Sequence, residues 1–200
     1  MTDITQSQSL RRAVLAVAIL NLSYFFVEFT AAISIGSVSL FADSIDFLED
    51  TSINLLILMA LGWSLRARSR VGMCLALILL APGIATLWTV WQKIATPLPP
   101  EPVTLSVVGA GALAVNLTCA LILVRFRKHS GSLTKAAFLS ARNDAYANVA
   151  IIAAGVLTAL IHSVWPDIIV GLGIAAMNAD AAKEVWEAAR QEQREDQAKA

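Results

Sequence analysis

Three aspartates lie inside stretches of the chain that are apolar enough to cross a lipid bilayer. Asp46 and Asp50 belong to the run SIDFLEDTSINLLILMALGW, and Asp144 belongs to ARNDAYANVAIIAAGVL. A carboxylate near the middle of a bilayer costs about 2.5 to 3.5 kcal/mol on the insertion scale, so acids in such positions commonly mark a path for ions or protons. The three residues therefore predict a protein that moves a cation.

The spacing of Asp46 and Asp50 defines the chemistry further. Residues four apart lie one turn from each other on one face of a helix, with Cβ atoms about 6 Å apart. Two carboxylates this close in a low dielectric repel each other, so at least one should be protonated when no metal is bound. Metal binding would then release protons. Asp144, in the middle third of a later helix, adds a third carboxylate, and the set favours exchange of a divalent cation for protons.

The elements that must position these acids are long apolar helices. Hydrophobic residues make up 57% of the 200 residues, charged residues only 15%, and the mean hydropathy is +0.67. A helix needs about 20 apolar residues to cross the hydrocarbon. The segments that meet this need are 13–33, 40–65, 71–92, 102–124, 135–162 and 167–186. We therefore predict an all-α integral membrane protein with six transmembrane helices, a single transport domain over residues 1–190 and a polar tail over 191–200.

The distribution of basic residues predicts the orientation in the membrane. The formal net charge is zero, which gives no argument for a nucleic-acid partner. Basic residues gather before helix one, after helix two and between helices four and five, whereas the other connections hold only Lys93. By the positive-inside rule, both termini should be cytoplasmic. No cleavable signal is evident, so we expect a multi-pass protein of the cell (inner) membrane.

A set of motifs resembles the cation diffusion facilitator (cation efflux) family. The run GSVSLFADSIDFLED is similar to the second-helix signature of these transporters. Further matches are Asn21, Tyr24 and Glu28 on helix one, Asp144 with Asn148 on helix five, and Trp165, Pro166 and Asp167 before helix six. The resemblance implies that helices one, two, four and five enclose the ion path while three and six pack at one side. It also implies export of divalent metal from the cytoplasm in exchange for protons.

The implied metal site departs from the zinc-transporting members at one position. These members commonly carry a histidine four residues before the helix-five aspartate, and here that residue is Ser140. The implied metal ligands are thus Asp46, Asp50 and Asp144, with Ser140 as a weak neutral oxygen. An all-oxygen set favours Mn²⁺, Fe²⁺ or Co²⁺ relative to Zn²⁺. The metal is expected as a substrate, with no permanently bound cofactor.

Family members usually continue into a cytoplasmic metal-binding domain, and this chain resembles a short form without it. A homodimer would then have to be held by helix faces, for example those of helices three and six.

The neighbouring polar residues leave alternatives open. Asp43 could order or cap the start of helix two or act as a ligand. Glu28 could pair with a polar neighbour or belong to a proton path. Asn143 and Asn148 flank Asp144, and one of them could supply an amide oxygen. All four are candidates for outer-shell or proton-path roles, although any polar residue in a membrane helix can also serve as a hydrogen-bonding contact between helices.

Two other function classes compete with transport. A relative that has lost transport and serves as a membrane structural or interaction protein would explain the missing histidine. An intramembrane aspartyl hydrolase would also need two membrane aspartates, but such enzymes carry a GxGD motif, which the sequence lacks. We therefore do not expect an enzyme.

Overall fold

The computed structural model describes residues 2–60, 84–124 and 131–198, and within these ranges it contains helices and no strands. The helices are α1 (Thr2–Ile35), α2 (Val38–Ala60), α3 (84–95), α4 (Pro102–Val124), α5 (Gly131–Ile161) and α6 (Trp165–Ala198). The predicted all-α class is confirmed. The predicted end of span two and most of span three fall in 61–83, outside the described residues.

Several of these helices are suited to a membrane by length and composition. Among the described residues, three stretches are long and apolar enough to cross one: Gln8–Ile35, Pro102–Val124 and Asn143–Ile161. Helix α2 is also 23 residues long, but it carries four acids within eight positions, at 43, 46, 49 and 50. Burying these acids in hydrocarbon is costly, so they must face the interior of the helix bundle.

Four of the helices form a ring. Helix α1 packs on α2 and α4, and α5 packs on the same two helices from the opposite side, with little contact between α2 and α4. Helix α6 lies outside the ring, against α2 and α5. The set of enclosing helices is the one that the family resemblance implied. Near one end, Val90 of α3 packs with Val164 and Ile168, so α3 and α6 meet there.

A tight turn makes α1 and α2 an antiparallel hairpin. Gly36 adopts a positive φ of 61°, a conformation that costs glycine little, and the Ser37 amide donates back to the Ala32 carbonyl. The two helices run in opposite directions, because Asn21 bonds Asp50, whereas Glu28, later in α1, meets Asp43, earlier in α2. The hairpin therefore fixes which residues of α1 face the acids of α2.

The start of α2 is capped by α6 rather than by a residue of its own. Asp167 is fully buried and accepts hydrogen bonds from the Val38 amide (2.8 Å) and the Ser39 amide (3.0 Å). It also accepts from the hydroxyls of Ser37 and Ser39, each at 2.6 Å. Gly171, one turn further along α6, allows this approach, since a Cβ there would lie 2.7 Å from a Val38 methyl. One carboxylate thus satisfies the free amides of the α2 N-terminus.

This capping corrects two sequence interpretations. Helix α6 begins at Trp165, so Asp167 lies in its first turn and not at its start. The capping role considered for Asp43 belongs to Asp167, and Asp43 lies inside the ring with no exposed surface. The spacing of residues along α2 could not reveal a cap that comes from a residue 129 positions away.

Candidate cation site

Polar side chains of α2 and α5 share one depth in the ring. Asn148 of α5 donates to Asp43 Oδ2 at 2.6 Å, which aligns the two helices. The helices are antiparallel, because α5 leads into α6 at the end where Asp167 caps α2. Asp144, four residues before Asn148, and Asp46, three after Asp43, are therefore displaced in the same direction, by about 6 Å and 4.5 Å at 1.5 Å per residue. The Asp46 and Asp144 carboxylates of these two neighbouring helices are therefore close enough to interact electrostatically.

Asp50 is held from the opposite side by α1. The Asn21 side-chain amide donates to Asp50 Oδ2 at 3.3 Å, and the Cys119 thiol of α4 is 3.3 Å from Asn21 Oδ1, to which it donates. Asn21 and Cys119 are fully buried, and Asp50 is 5% exposed. The charges of Asp50 and Asp144 both act on Cys119, so the two aspartates border the same region of the ring interior. Three helices other than α2 thus contribute groups around Asp46 and Asp50.

A second polar layer lies closer to the α1–α2 turn. Glu28 and Asp43 are fully buried and face each other between α1 and α2. Asn148 bridges Asp43 to α4, since its Oδ1 accepts from the Asn116 amide at 3.0 Å. The layer and the Asp46–Asp144 region lie along one axis, so the ring encloses a column of polar side chains.

The predicted ligands are only partly gathered in this structure. Among the side chains described, no three histidine, cysteine, aspartate or glutamate groups are close enough to hold a metal ion. The Ser140 side chain falls outside those described, although its backbone belongs to α5. Asn143 is exposed, whereas Asn148 joins the buried layer. Assignment of Asp46, Asp50, Asp144 and Ser140 as metal ligands stays a prediction.

The structure adds residues to which the sequence analysis gave no role in the site. Asn21 appeared only as a family match, and neither Asn116 nor Cys119 was a candidate. One signal was available for Asn21: it lies seven residues before Glu28, which places both on one face of α1. Nothing local points to Asn116 or Cys119, because their faces are defined only by the packing of α4 against α1 and α5.

A ring of apolar helices around a column of buried acids defines an ion-transporting membrane protein. The chain matches the model of the cation efflux transmembrane domain over residues 14–191. It belongs to this family, which confirms the resemblance drawn from the motifs, and it is a membrane protein of a family of metal cation transporters rather than of enzymes. A comparison with curated proteins found no match.

Proposed function

We propose that this protein exports a divalent metal cation from the cytoplasm in exchange for protons. It would do so as a six-span, multi-pass protein of the cell (inner) membrane, with both termini cytoplasmic. The observation that carries the proposal is the hydrogen bond from Asn148 to Asp43, which brings Asp144 of α5 to a depth close to that of Asp46 of α2 in a domain of the cation efflux family. Buried carboxylates facing each other favour either a cation or protons between them.

The proposed cargo site consists of Asp46, Asp50 and Asp144, with Ser140 as a weaker oxygen ligand. Three carboxylates and one divalent ion leave one negative charge, which a hydrogen-bond donor must stabilise. The Asn21 amide, bonded to Asp50, is such a donor. Oxygen ligands without imidazole suit Mn²⁺, Fe²⁺ and Co²⁺ better than a histidine-containing zinc site. Protons released on metal binding would link the two fluxes.

The outer surface of the bundle supports the proposed contact with lipid. Large apolar side chains point outward on several helices, among them Trp88, Leu121, Leu160 and Ile169, each more than half exposed. Such a surface would be unfavourable in water and is favourable in hydrocarbon. A homodimer held by helix faces remains part of the proposal.

Flux measurements test the proposal directly. Purified protein in proteoliposomes would be given Mn²⁺, Zn²⁺, Co²⁺ or Fe²⁺ under an imposed pH gradient. We expect gradient-driven uptake that is lost in Asp50→Asn and in Asp144→Asn. The matched control is Asp180→Asn, which neutralises an exposed acid on α6 and should retain wild-type flux. Flux that persists in both ligand variants would refute the site. Absence of flux for every ion, from folded protein, would favour a non-transporting relative.

A further inference from the structure

The polar layer nearer the α1–α2 turn contains acceptors for which the protein supplies no donor. Glu28 Oε1, Glu28 Oε2 and Asp43 Oδ1 are buried, and no hydrogen-bond donor among the described residues reaches them. The two carboxyl groups face each other. A proton shared between them would form one hydrogen bond, because the two side chains lie within hydrogen-bonding reach, whereas two ionised carboxylates only accept and cannot satisfy one another. We propose that Glu28 and Asp43 form a second cation site, distinct from Asp46, Asp50 and Asp144, that takes an oxygen-preferring divalent ion.

The charges around the pair are unbalanced. In the described part of the chain, the charged groups that act on Glu28 are acidic, namely Asp43 and Asp46. Both Glu28 and Asp43 have no exposed surface, so water cannot screen them from outside. An uncompensated charge in such a place costs several kcal/mol by the usual estimates of desolvation. A bound cation would supply the missing positive charge and occupy the three free acceptors together.

The surrounding groups orient the acceptors without consuming them. Asn148 donates to Asp43 Oδ2 only, and its own oxygen is held by Asn116, so the amide cannot turn over. Asp43 Oδ1 is thereby left for Glu28. Second-shell hydrogen bonds of this kind orient carboxylates that bind metals. The hydrogen bonds through Asn148 and Asn116 extend the arrangement to α5 and α4, so an ion at the pair would be linked to all four helices of the ring.

The nearest hydroxyl is also committed elsewhere. Tyr24 lies close enough for Glu28 and Asp43 to act on it electrostatically, but its single O–H donates to the Val108 carbonyl at 2.6 Å. Gly111 permits this placement, since a Cβ there would overlap the hydroxyl. The Tyr24 hydroxyl is thus committed to Val108, and among the described residues it leaves the Glu28 and Asp43 acceptors open to a cation.

The position of the pair gives the site a role in the path. Asp43 precedes Asp46 by three residues and Asp50 by seven, which is about 4.5 Å and about 10 Å along the helix axis. A cation at Glu28 and Asp43 would therefore be a separate stop between the predicted cargo site and the α1–α2 turn. Only its role in transport rests on the proposed function; its capacity to bind an ion does not. Carboxylate oxygens suit Mn²⁺, which is the probe of choice because it is paramagnetic.

Counting bound Mn²⁺ by electron paramagnetic resonance tests the site. The full chain in lipid nanodiscs would be titrated, with unbound Mn²⁺ read from its six-line signal. We expect two ions per chain in wild type and in the Asp180→Asn control, and one in Glu28→Gln and in Asp43→Asn. Asp50→Asn should lose the other ion and keep the one that depends on Glu28. If Glu28→Gln binds as many ions as wild type with unchanged affinity, the second site does not exist.

A measurement on wild type alone covers the case in which the variants fail to fold. Two Mn²⁺ ions separated by no more than about 10 Å along the helix axis broaden each other's spectra by dipolar coupling, so the bound signal at saturation should be broader than at low occupancy. A single-ion spectrum at saturation would overturn the proposal. Infrared spectroscopy distinguishes a shared proton from an ion. If a protonated carboxyl band of the wild type disappears in Glu28→Gln, and this variant still binds as many ions as wild type, the pair holds a proton instead. If neither Asp50→Asn nor Asp144→Asn loses flux, the proposed function is refuted. The ion that depends on Glu28 would still be bound.

Discussion

At the scale of single residues, α1 decides how the acids of α2 are held. Asn21 contacts Asp50 through its amide and Cys119 through its carbonyl oxygen, so its orientation is fixed from two sides. The hydrogen bond from this ordered amide helps to orient the Asp50 carboxylate before any ion arrives. Pre-organisation of this type lowers the cost of binding.

Replacing Asn21 by alanine should weaken metal transport without unfolding the protein. Loss of a second-shell partner commonly costs about 10- to 100-fold in metal affinity or activity. We expect the apparent KM for Mn²⁺ uptake to rise by a factor in this range. The control is Asn178→Ala, which removes a buried amide of α6 that donates to the Ala42 backbone carbonyl rather than to an acid. An equal effect of both variants would mean that Asn21 acts only through general packing.

Ser140→His should shift metal preference toward Zn²⁺. The substitution adds an imidazole four residues before Asp144, one helical turn away, and imidazole is a better ligand for Zn²⁺ than a hydroxyl. The measurement is the ratio of Zn²⁺ to Mn²⁺ uptake in competition, which we expect to increase at least several-fold on the basis of ligand softness. An unchanged ratio in a variant that still transports would remove Ser140 from the site.

At the scale of elements, α6 is fastened to the ring at the start of α2. The Asp167 carboxylate completes the first turn of α2, and the Lys93 ammonium donates to the Gly36 carbonyl beside it. Helix α3, α6 and the α1–α2 turn therefore meet at one point. Any motion that tilts α2 in the bilayer must carry this junction with it or break it.

Asp167→Ala should destabilise the protein strongly. The substitution leaves two amides and two hydroxyls without their acceptor, and loss of a cap with charged hydrogen bonds predicts about 2 kcal/mol or more. Thermal unfolding in detergent should show a lower Tm, with a smaller loss for Asp167→Asn because it keeps one acceptor oxygen. Asp180→Ala, an exposed position of α6, serves as the control. A wild-type Tm for Asp167→Ala would contradict the capping role.

The N-terminus of α4 carries a pH-dependent cap. Glu101 accepts from the amides of Val103 and Thr104, and hydrogen bonding by Thr104, then by Val103, lowers the pKa of its carboxyl below the ordinary 4.5. A lowered pKa means that the ionised form is favoured by folding, so the contribution is present above pH 4.5 and is lost as pH falls through the folded value. The Tm difference between wild type and Glu101→Gln should therefore be larger at pH 7 than at pH 3. A difference that grows on acidification would have the wrong sign.

At the scale of the whole molecule, the ring of α1, α2, α4 and α5 separates a polar interior from a lipid-facing exterior. Large apolar side chains cover the outside, and the inside holds Glu28, Asp43, Asp50 and Asp144. This inversion of a soluble protein's pattern is expected where the surrounding solvent is hydrocarbon. The acids can remain buried because polar side chains from several helices surround them in each layer.

Reporter fusions test the predicted orientation. Alkaline phosphatase is active outside the cytoplasm, whereas a fluorescent protein reports the inside. We expect fluorescence from fusions at either terminus and phosphatase activity from a fusion after Leu98, because the positive charges favour retention of the other connections. A fusion after Arg127 should behave like the termini. Phosphatase activity at the C-terminus would rule out an even number of spans with a cytoplasmic N-terminus.

The class of the protein followed from the sequence alone, which also nominated Asp46, Asp50 and Asp144 as candidate site residues. Apolar length and the rarity of charge are properties of each segment alone, so they predicted helices and a membrane environment without knowledge of packing. The four-residue spacing of Asp46 and Asp50 likewise sets their relation on one helix face. The motif order also identified the family correctly.

The contacts between residues of different helices depend on the packing of the whole bundle. The pairing of Glu28 with Asp43, the hold of Asn21 on Asp50 and the capping of α2 by Asp167 join positions 15, 29 and about 130 residues apart. Such contacts depend on the rotation and axial offset of each helix, which are set by how side chains of both partners interdigitate. No single segment contains that information. The pairing of Glu28 with Asp43 therefore became apparent only once the helices were packed together.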